Sequence, residues 1–228
     1  MSVLSRFPAL LFDFDGTLID SAPEIAEALN LLLTEQGRPS LTLAQVQGLI
    51  GDGAPRLVEQ AMAVTGAALP AAELAPLTAR YLELYAAIPV TPACVYPGVV
   101  ETLTRLKAAG HRLALCTNKP GAISVEVLEQ VGLGGLFEQV VGGDTAPRRK
   151  PWPDPLFWAL ERMGLSPKQA VMVGDNANDV AAGHAAGMPV VAVAYGYPRM
   201  ALADLGAELI IDRFADLPAA LERLVSQG

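Results

Sequence analysis

The 228-residue chain has few residues of the kinds that form disulfides or bind structural zinc. It contains two cysteines, Cys94 and Cys116, and two histidines, His111 and His184. Two cysteines do not make a disulfide framework, and so small a supply of thiolate and imidazole groups argues against a zinc site. Cys116 lies in an apolar strand pattern, which favours packing over nucleophilic chemistry. His184 falls on an alanine-rich helical pattern and is assigned no role.

Long hydrophobic runs and positive charge are also scarce. No apolar run approaches the roughly 18 residues of a membrane-spanning helix, and residues 1–7 show no apolar signal segment. The 16 basic and 24 acidic residues give a net charge of −8, which argues against nucleic acid as a partner. We therefore expect a cytoplasmic monomer or homodimer that binds neither nucleic acid nor membranes. If its ligand is an anion, local positive charge must overcome the unfavourable overall field.

The hydrophobic pattern divides the chain into a helical part and an alternating part. Because 52% of the residues are hydrophobic, we expect a large core. The run 9–12 fits one buried strand, whereas residues 22–88 show helical spacing and no convincing strand. Capping boxes that begin at Ser21 and Thr42 predict the starts of two of these helices.

From Pro97 onward, predicted helices alternate with short apolar runs. The predicted strands are 113–116, 139–141, 170–173, 190–194 and 209–211. Repeats of this kind predict an α/β fold, a Rossmann-like, doubly wound parallel sheet with helices on both faces. The helical part would be a cap inserted after the first strand. We expect a catalytic core of residues 1–20 and 89–228, and a helical cap domain of residues 21–88.

Polar residues directly follow four of the apolar runs. They are Asp13, Thr117-Asn118, Gly143-Asp144 and Gly174-Asp175. In parallel sheets the ligand lies outside the carboxyl ends of the strands, so we expect these residues to converge on one crevice. Polar loops follow strands in every α/β fold, and a helix N-cap is the alternative interpretation of Asp144.

The segment after the first run places two acids, Asp13 and Asp15, two positions apart. Unit charges about 4 Å apart repel by about 4 kcal/mol at an effective dielectric of 20, so both need a compensating cation or a shared proton. Asp-Gly alone is a common turn dipeptide. The complete hexapeptide Asp13-Phe-Asp-Gly-Thr-Leu18 resembles the first motif of the haloacid dehalogenase superfamily, which includes phosphatases and phosphomutases with an aspartate nucleophile.

Three further stretches resemble the other motifs of that superfamily, in the same order. They are Thr117-Asn118, Lys150-Pro151 and Gly174-Asp-Asn-Ala-Asn-Asp179. The resemblance covers nearly the full length and implies a phosphoric monoester hydrolase with the superfamily's fold and a C1-type helical cap. A solvated basic turn, together with Arg148 and Arg149, is the alternative interpretation of Lys150.

The resemblance implies a role for each matched residue. Asp13 would be the nucleophile that forms an aspartyl-phosphate. Asp15 would be the general acid and later the general base, and a position beside other carboxylates suits a group that starts protonated. Thr117, Asn118 and Lys150 would bind the phosphoryl oxygens.

The same resemblance implies magnesium as cofactor. Asp175 would bind it directly, together with the Asp13 carboxylate and the main-chain carbonyl of Asp15. Few oxygen ligands, completed by water and phosphate, select Mg²⁺ over zinc. Asp179 would hold Lys150 or a metal-bound water from the second layer, with a helix N-cap as the alternative.

The best indication of the substrate is the stretch Gly51-Asp-Gly-Ala-Pro-Arg56. Gly51 and Gly53 ahead of a helix would let backbone N–H groups face an anion, and Arg56 would grip a carboxylate. A plain turn between helices is the alternative. With Thr117-Asn-Lys-Pro120, this stretch resembles superfamily members that hydrolyse 2-phosphoglycolate. Lys119 is a further candidate for orienting the anion of such a small phosphorylated metabolite.

Rival functions remain open on the sequence alone. A phosphatase of cell-wall sugar phosphates and a β-phosphoglucomutase-like phosphomutase share all four motifs. A haloacid dehalogenase needs no metal and usually lacks the second acid, so Asp15 and Asp175 count against it. A non-catalytic binding module predicts loss of a matched residue, yet Asp13, Asp15, Lys150 and Asp175 are all present.

Overall fold

The computed structural model describes residues 2–227, which contain a six-stranded parallel sheet. Its strands are β1 (Ala9–Phe12), β2 (Arg112–Cys116), β3 (Gln139–Val141), β4 (Ala170–Gly174), β5 (Val190–Val193) and β6 (Leu209–Ile211). Their spatial order is β3-β2-β1-β4-β5-β6, and every neighbouring pair is parallel. The strand order reverses between β1 and β4, and such a switch point is where α/β sheets bind ligands.

Ten α-helices occur in the part of the chain that the structure describes. They are α1 (Val3–Arg6), α2 (Ala22–Glu35), α3 (Leu43–Gln47), α4 (Ala54–Thr65), α5 (Ala71–Ala86), α6 (Val99–Ala108), α7 (Gly121–Gln130), α8 (Asp154–Arg162), α9 (Ala177–Ala186) and α10 (Leu217–Gln227). Across residues 2–227, none of these helices combines the length and hydrophobicity needed to cross a bilayer.

The sheet is buried on both faces. Side chains of β1 alternate between two hydrophobic clusters, with Leu10 and Phe12 in one and Ala9 and Leu11 in the other. Because residues i and i+2 of a strand share a face, one cluster lies on each side of the sheet. The expected doubly wound α/β fold is therefore confirmed.

Helices α2 to α5 form a helical segment, residues 22–86, which lies in the sequence between β1 and β2. Leu29 of α2, Val58 of α4 and Tyr81 of α5 belong to the same hydrophobic cluster as Phe12. The chain enters this segment beside the point where it leaves it, because the Asp20 N–H donates to the Cys94 carbonyl at 2.7 Å. The hydrophobic cluster on one face of the sheet thus continues into this segment.

Most predicted elements are present with slightly shifted bounds. Helix α9 is longer than the expected 180–186 because the Asn176 side chain caps its first turn. The helix expected at 199–205 is a single 3₁₀ turn, Leu202–Asp204. The capping box at Thr42 is confirmed.

Candidate active site

The turn after β1 is attached directly to β4. The Asp13 N–H donates to the Val173 carbonyl at 2.9 Å, which places the Asp13 carboxyl at the carboxyl ends of both strands. Gly16 has a φ of +83°, a conformation that favours glycine. A Cβ atom at Gly16 would lie 2.4 Å from an oxygen of Asp175, so a larger residue would separate the turn from Asp175.

Three buried carboxylates meet at this point: Asp13, Asp175 and Asp179 offer oxygens within 4.8 Å of one another. The Lys150 ammonium lies 2.9 Å from Asp13 Oδ1 and 2.6 Å from Asp179 Oδ1. Burial and the charge of Asp179 raise the pKa of Asp13 to about 7, although Lys150 opposes this shift. Burial, followed by the charges of Asp179 and Asp13, raises the pKa of Asp175 well above its ordinary range. With one lysine for three carboxylates, this cluster is short of positive charge.

Asp179 contacts Lys150, as predicted, but the N-cap of α9 is Asn176, and Asp179 supports the start of the helix from its third position. Its Oδ2 accepts the N–H groups of Asp175 at 3.1 Å and Asn176 at 3.2 Å, and it completes the capping box of α9 with Asn176. Its Oδ1 accepts from Lys150. The helix start and the lysine are therefore positioned by the same side chain.

The chemistry of the donor set fits a magnesium ion. Buried carboxylate oxygens short of positive charge favour a hard divalent cation, and Asp13 and Asp175 were both predicted as ligands. Other bonds orient Asp175: its Oδ2 accepts the Tyr197 N–H at 2.7 Å, and its Oδ1 accepts the Thr17 hydroxyl at 3.3 Å. The third predicted ligand, the Asp15 main-chain carbonyl, stays a prediction.

The Asp15 side chain lies outside the carboxylate cluster, contrary to expectation. It accepts the Ser21 hydroxyl at 2.6 Å and contacts the Lys119 ammonium at 3.2 and 3.4 Å. The predicted capping box at Ser21 is wrong for the same reason, because its hydroxyl binds Asp15 and makes no cap to α2. The Asp15 side chain thus has one partner nearby in the chain, Ser21, and one distant partner, Lys119.

Thr117 and Asn118 both reach the site, and each makes hydrogen bonds to protein groups there. Thr117 is buried and its hydroxyl oxygen accepts the Lys119 N–H at 3.2 Å. The Asn118 amide donates to the carbonyls of Gly51 at 2.8 Å and Lys150 at 2.9 Å. With its Nδ2 occupied in this way, Asn118 bridges two loops, and its side chain is not free to donate to a phosphoryl oxygen.

The loop of Gly51, Asp52 and Gly53 is held against the sheet's loops. The Asp52 carboxylate accepts two hydrogen bonds from Arg199, at 2.6 and 2.9 Å, and one from Asn178 at 2.7 Å. Its main-chain carbonyl accepts from Arg149 at 3.1 Å. The sequence predicts no role for Asp52, Asn178 or Arg199, and it indicates only a basic turn for Arg149, because no local pattern marks these pairs.

Arg56 does not reach the site, so its predicted grip on a substrate carboxylate is wrong. Its guanidinium is paired with Glu59 at 2.5 Å, and its side chain is 53% exposed. It lines a separate surface groove with Trp152. The i,i+3 spacing on α4 gives Arg56 a partner on its own helix, facing away from the pocket.

The pocket at the switch point joins the sheet to the helical segment. Its polar lining includes Asp13, Asp15, Thr117, Asn118 and Lys119. Gly51, Gly53 and the start of α4 form part of its wall, and contact of their N–H groups with an anion stays a prediction. The remaining lining is mostly apolar or aromatic: Ile25, Ile50, Ala54, Leu57, Tyr81, Leu82, Tyr85, Pro120 and Ile123.

Comparison with known proteins agrees with this architecture. The model of the haloacid dehalogenase-like hydrolase family matches residues 7–187. The chain belongs to that family. A phosphoglycolate phosphatase of Rhodospirillum rubrum is 45% identical over 92% of this chain and 88% of its own, and one of Caulobacter vibrioides is 39% identical over 95% and 92%. The expected resemblance is thereby confirmed, and these names belong to the predicted enzyme class, phosphoric monoester hydrolases.

A solved structure from Haemophilus somnus, described as a predicted phosphoglycolate phosphatase, superposes on this hydrolase with a TM-score of 0.87. It is 34% identical, and the match covers 94% of this chain and 98% of the other. The similarity spans the sheet and the helical segment together.

Other polar residues of this hydrolase have structural contacts. Asp144 accepts the N–H of Gly121, the first residue of α7, at 2.8 Å, so it caps a helix from a neighbouring loop. His184 pairs with Glu208 at the surface. Burial raises the pKa of the Cys116 thiol to about 12, which agrees with a packing role.

Proposed function

We propose that this hydrolase is a magnesium-dependent phosphatase that converts 2-phosphoglycolate to glycolate and phosphate. The observation that carries the proposal is the carboxyl of Asp13, held at the switch point beside Lys150 and Asp175 and open to the pocket. The names of the relatives support the substrate. A small phosphorylated metabolite is the partner that this pocket fits.

The chemistry follows from the positions of two acids. An oxygen of Asp13 attacks phosphorus, the bond from phosphorus to the ester oxygen breaks, and Asp15 donates its proton to that oxygen. Water then attacks the phosphorus of the aspartyl-phosphate and gives a proton to Asp15, and the bond from phosphorus to the Asp13 oxygen breaks, which releases phosphate and regenerates Asp13. Lys150 neutralises the phosphoryl oxygens, and Thr117 donates its hydroxyl to them.

Asp13 and Asp175 would hold the magnesium ion in this scheme, with the main-chain carbonyl of Asp15 as the third protein ligand. When bound, the ion neutralises the carboxylates and the phosphoryl oxygens, so that an anionic nucleophile approaches an anionic substrate. Asp179 would keep Lys150 beside Asp13 throughout.

The apolar lining favours a compact substrate over a sugar phosphate. Ile25, Ile50, Leu57 and Ile123 offer no partners for sugar hydroxyls, and burying an unpaired hydroxyl costs free energy. This observation supports 2-phosphoglycolate over the phosphomutase and sugar phosphatase alternatives.

A panel of phosphate esters assayed with Mg²⁺ tests the proposal. We expect kcat/KM to be highest for 2-phosphoglycolate, with hexose phosphates and pyrophosphate far lower, and stoichiometric release of phosphate. Asp13→Asn, which keeps the shape but removes the nucleophile, should lose turnover by about 10³-fold or more while remaining folded by circular dichroism. Retained turnover in that variant, or a preference for hexose phosphates, would refute the assignment.

A further inference from the structure

Two polar groups from opposite parts of the fold meet in the otherwise apolar wall of the pocket. Tyr85 lies on α5 of the helical segment, and Lys119 follows β2. Both line the pocket that contains Asp13, and both are buried, with 3% and 8% of their surfaces exposed. The Lys119 ammonium lies 4.3 Å from the centre of the Tyr85 ring.

The hydroxyl of Tyr85 carries a proton that has no acceptor. Among residues 2–227, this hydroxyl makes no well-aligned hydrogen bond. Lys119 lies close enough to interact with its oxygen, but an ammonium group only donates, so it leaves the hydroxyl proton unpaired. Burial raises the pKa of Tyr85, which keeps that proton in place. A buried donor of this kind is costly unless a ligand accepts from it.

Lys119 supplies a positive charge at the same place. Its ammonium contacts both oxygens of Asp15, at 3.2 and 3.4 Å. Burial opposes its charged form. Asp15, Tyr85 and Tyr81 outweigh burial and raise the pKa of Lys119. The amino-terminal end of α4, where Gly53 and Ala54 line the pocket, adds a second positive potential.

The position of Lys119 relative to Asp15 indicates which part of a substrate it meets. In the proposed reaction Asp15 gives its proton to the ester oxygen, so its carboxyl lies beside that oxygen. A group in contact with Asp15 then lies next to the substituent on the ester oxygen. In 2-phosphoglycolate that substituent is a carboxymethyl group, so its carboxylate is one methylene away from the ester oxygen.

We propose that the Tyr85 hydroxyl and the Lys119 ammonium form a subsite for the substrate's carboxylate. Tyr85 donates its unpaired proton to one carboxylate oxygen, and Lys119 neutralises the charge. This subsite rests on the proposed function and replaces Arg56 as the group that selects an anionic substituent. It also makes α5 a determinant of specificity, since only a helical segment closed against the sheet places Tyr85 beside Lys119.

The experiment compares two substrates of nearly equal size, 2-phosphoglycolate and ethyl phosphate, which lacks the carboxylate. The readout is the ratio of their kcat/KM values. Tyr85→Phe keeps the ring over Lys119 and removes only the hydroxyl. We expect it to lower the ratio about tenfold, mainly through a higher KM for 2-phosphoglycolate, with ethyl phosphate turnover nearly unchanged. Thr78→Val, which removes a buried hydroxyl from the same helix outside the pocket lining, is the matched control and should leave the ratio unchanged.

A second variant tests the charge. Lys119→Gln should lower the ratio by at least as much as Tyr85→Phe does. It should also slow the turnover of both substrates, because Asp15 loses its contact with the ammonium. Thermal unfolding of each variant establishes that it is folded.

The outcomes separate the subsite from the proposed function. If the wild-type protein does not prefer 2-phosphoglycolate to ethyl phosphate, the proposed substrate and the subsite both fail. If the wild type shows the preference but Tyr85→Phe keeps it, or Thr78→Val loses as much, only the subsite is overturned.

Discussion

Three buried carboxylates share one lysine at the centre of this protein. Asp13, Asp175 and Asp179 are each desolvated, and Lys150 touches only the first and the last of them. A buried charge is tolerated when it is paired or when a cation is bound. The charged cluster therefore lowers the free energy of unfolding relative to neutral residues at the same positions. A bound cation would raise it again.

The first prediction concerns the pH dependence of stability without metal. In the folded protein the pKa of Asp13 is raised from 3.8 to about 7, so the folded state binds this proton more tightly than the unfolded state. The resulting stabilisation is complete below about pH 4 and is lost as the pH rises through about 7. Asp13→Asn has no such proton, so in EDTA it should become progressively more stable than wild type over this range.

Urea unfolding at several pH values measures this difference. Because other carboxylates titrate in both proteins, the comparison with Asp13→Asn measures the contribution of the Asp13 charge, including its effect on Asp175. A difference in unfolding free energy that stays constant between pH 4 and 8 would contradict the prediction.

Residue identities at strand ends were the most predictable part of the site. Asp13, Lys150 and Asp175 converge as expected, because each follows a strand of one parallel sheet or lies in the adjoining loop. The side-chain partners were much less predictable. Ser21 binds Asp15 instead of capping α2, and Arg56 binds Glu59 instead of facing the pocket, because a partner nearby in the chain competes with the expected contact in each case.

At the scale of elements, the loop before α4 is the main polar connection between the helical segment and the sheet's loops. Gly51 and Gly53 have φ values of +123° and +83°, which only glycine adopts without strain. A Cβ atom at Gly53 would lie 2.9 Å from the Asn118 carbonyl, so glycine also permits the close approach. Asp52 between them is held by Arg199 and Asn178.

Removing the Asp52 carboxylate should loosen this loop. Asp52→Ala breaks a two-point contact with Arg199 that is partly shielded from solvent, so we expect a loss of about 1 kcal/mol in unfolding free energy. Amide exchange across residues 49–56 should accelerate, and the KM for substrate should rise several-fold because the pocket wall is less ordered. Hydrogen-exchange mass spectrometry measures the local effect.

Glu35→Ala is the matched control for this change. Glu35 makes the same two-point contact with an arginine, Arg80, but the pair is exposed and lies away from the pocket. Glu35→Ala should leave the amide hydrogen exchange of residues 49–56 unchanged. Equal acceleration in both variants would show that the effect is a general loosening of the helical segment.

The whole molecule carries a net charge of −8, yet its site is built for an anion. Lys119 lines the pocket and Lys150 is buried beside Asp13, so both provide local positive charge against the overall field. A bound magnesium ion would add to that charge and neutralise the carboxylate cluster.

Magnesium should stabilise the folded molecule as a whole. A ligand that binds only the folded state at a hundred times its Kd adds about 2.7 kcal/mol, so Tm should rise with Mg²⁺ concentration. Asp175→Asn should abolish most of this rise, whereas Asp204→Asn, at an exposed acid outside the cluster, should keep it. Turnover should vanish in EDTA and return with Mg²⁺. A Tm that does not respond to Mg²⁺ in the wild type would count against the metal site.

The sequence by itself determined the order of strands and helices along the chain and the parallel sheet with a helical segment after its first strand. It also determined the strand-end positions of Asp13, Thr117 and Asp175. These follow from local periodicity and from the chemistry of short stretches. Tertiary structure alone decided that Asp52 meets Arg199 and that Tyr85 lies over Lys119. Partners far apart in the chain meet only after packing has excluded water and set the distance between two surfaces, and no local pattern encodes that distance.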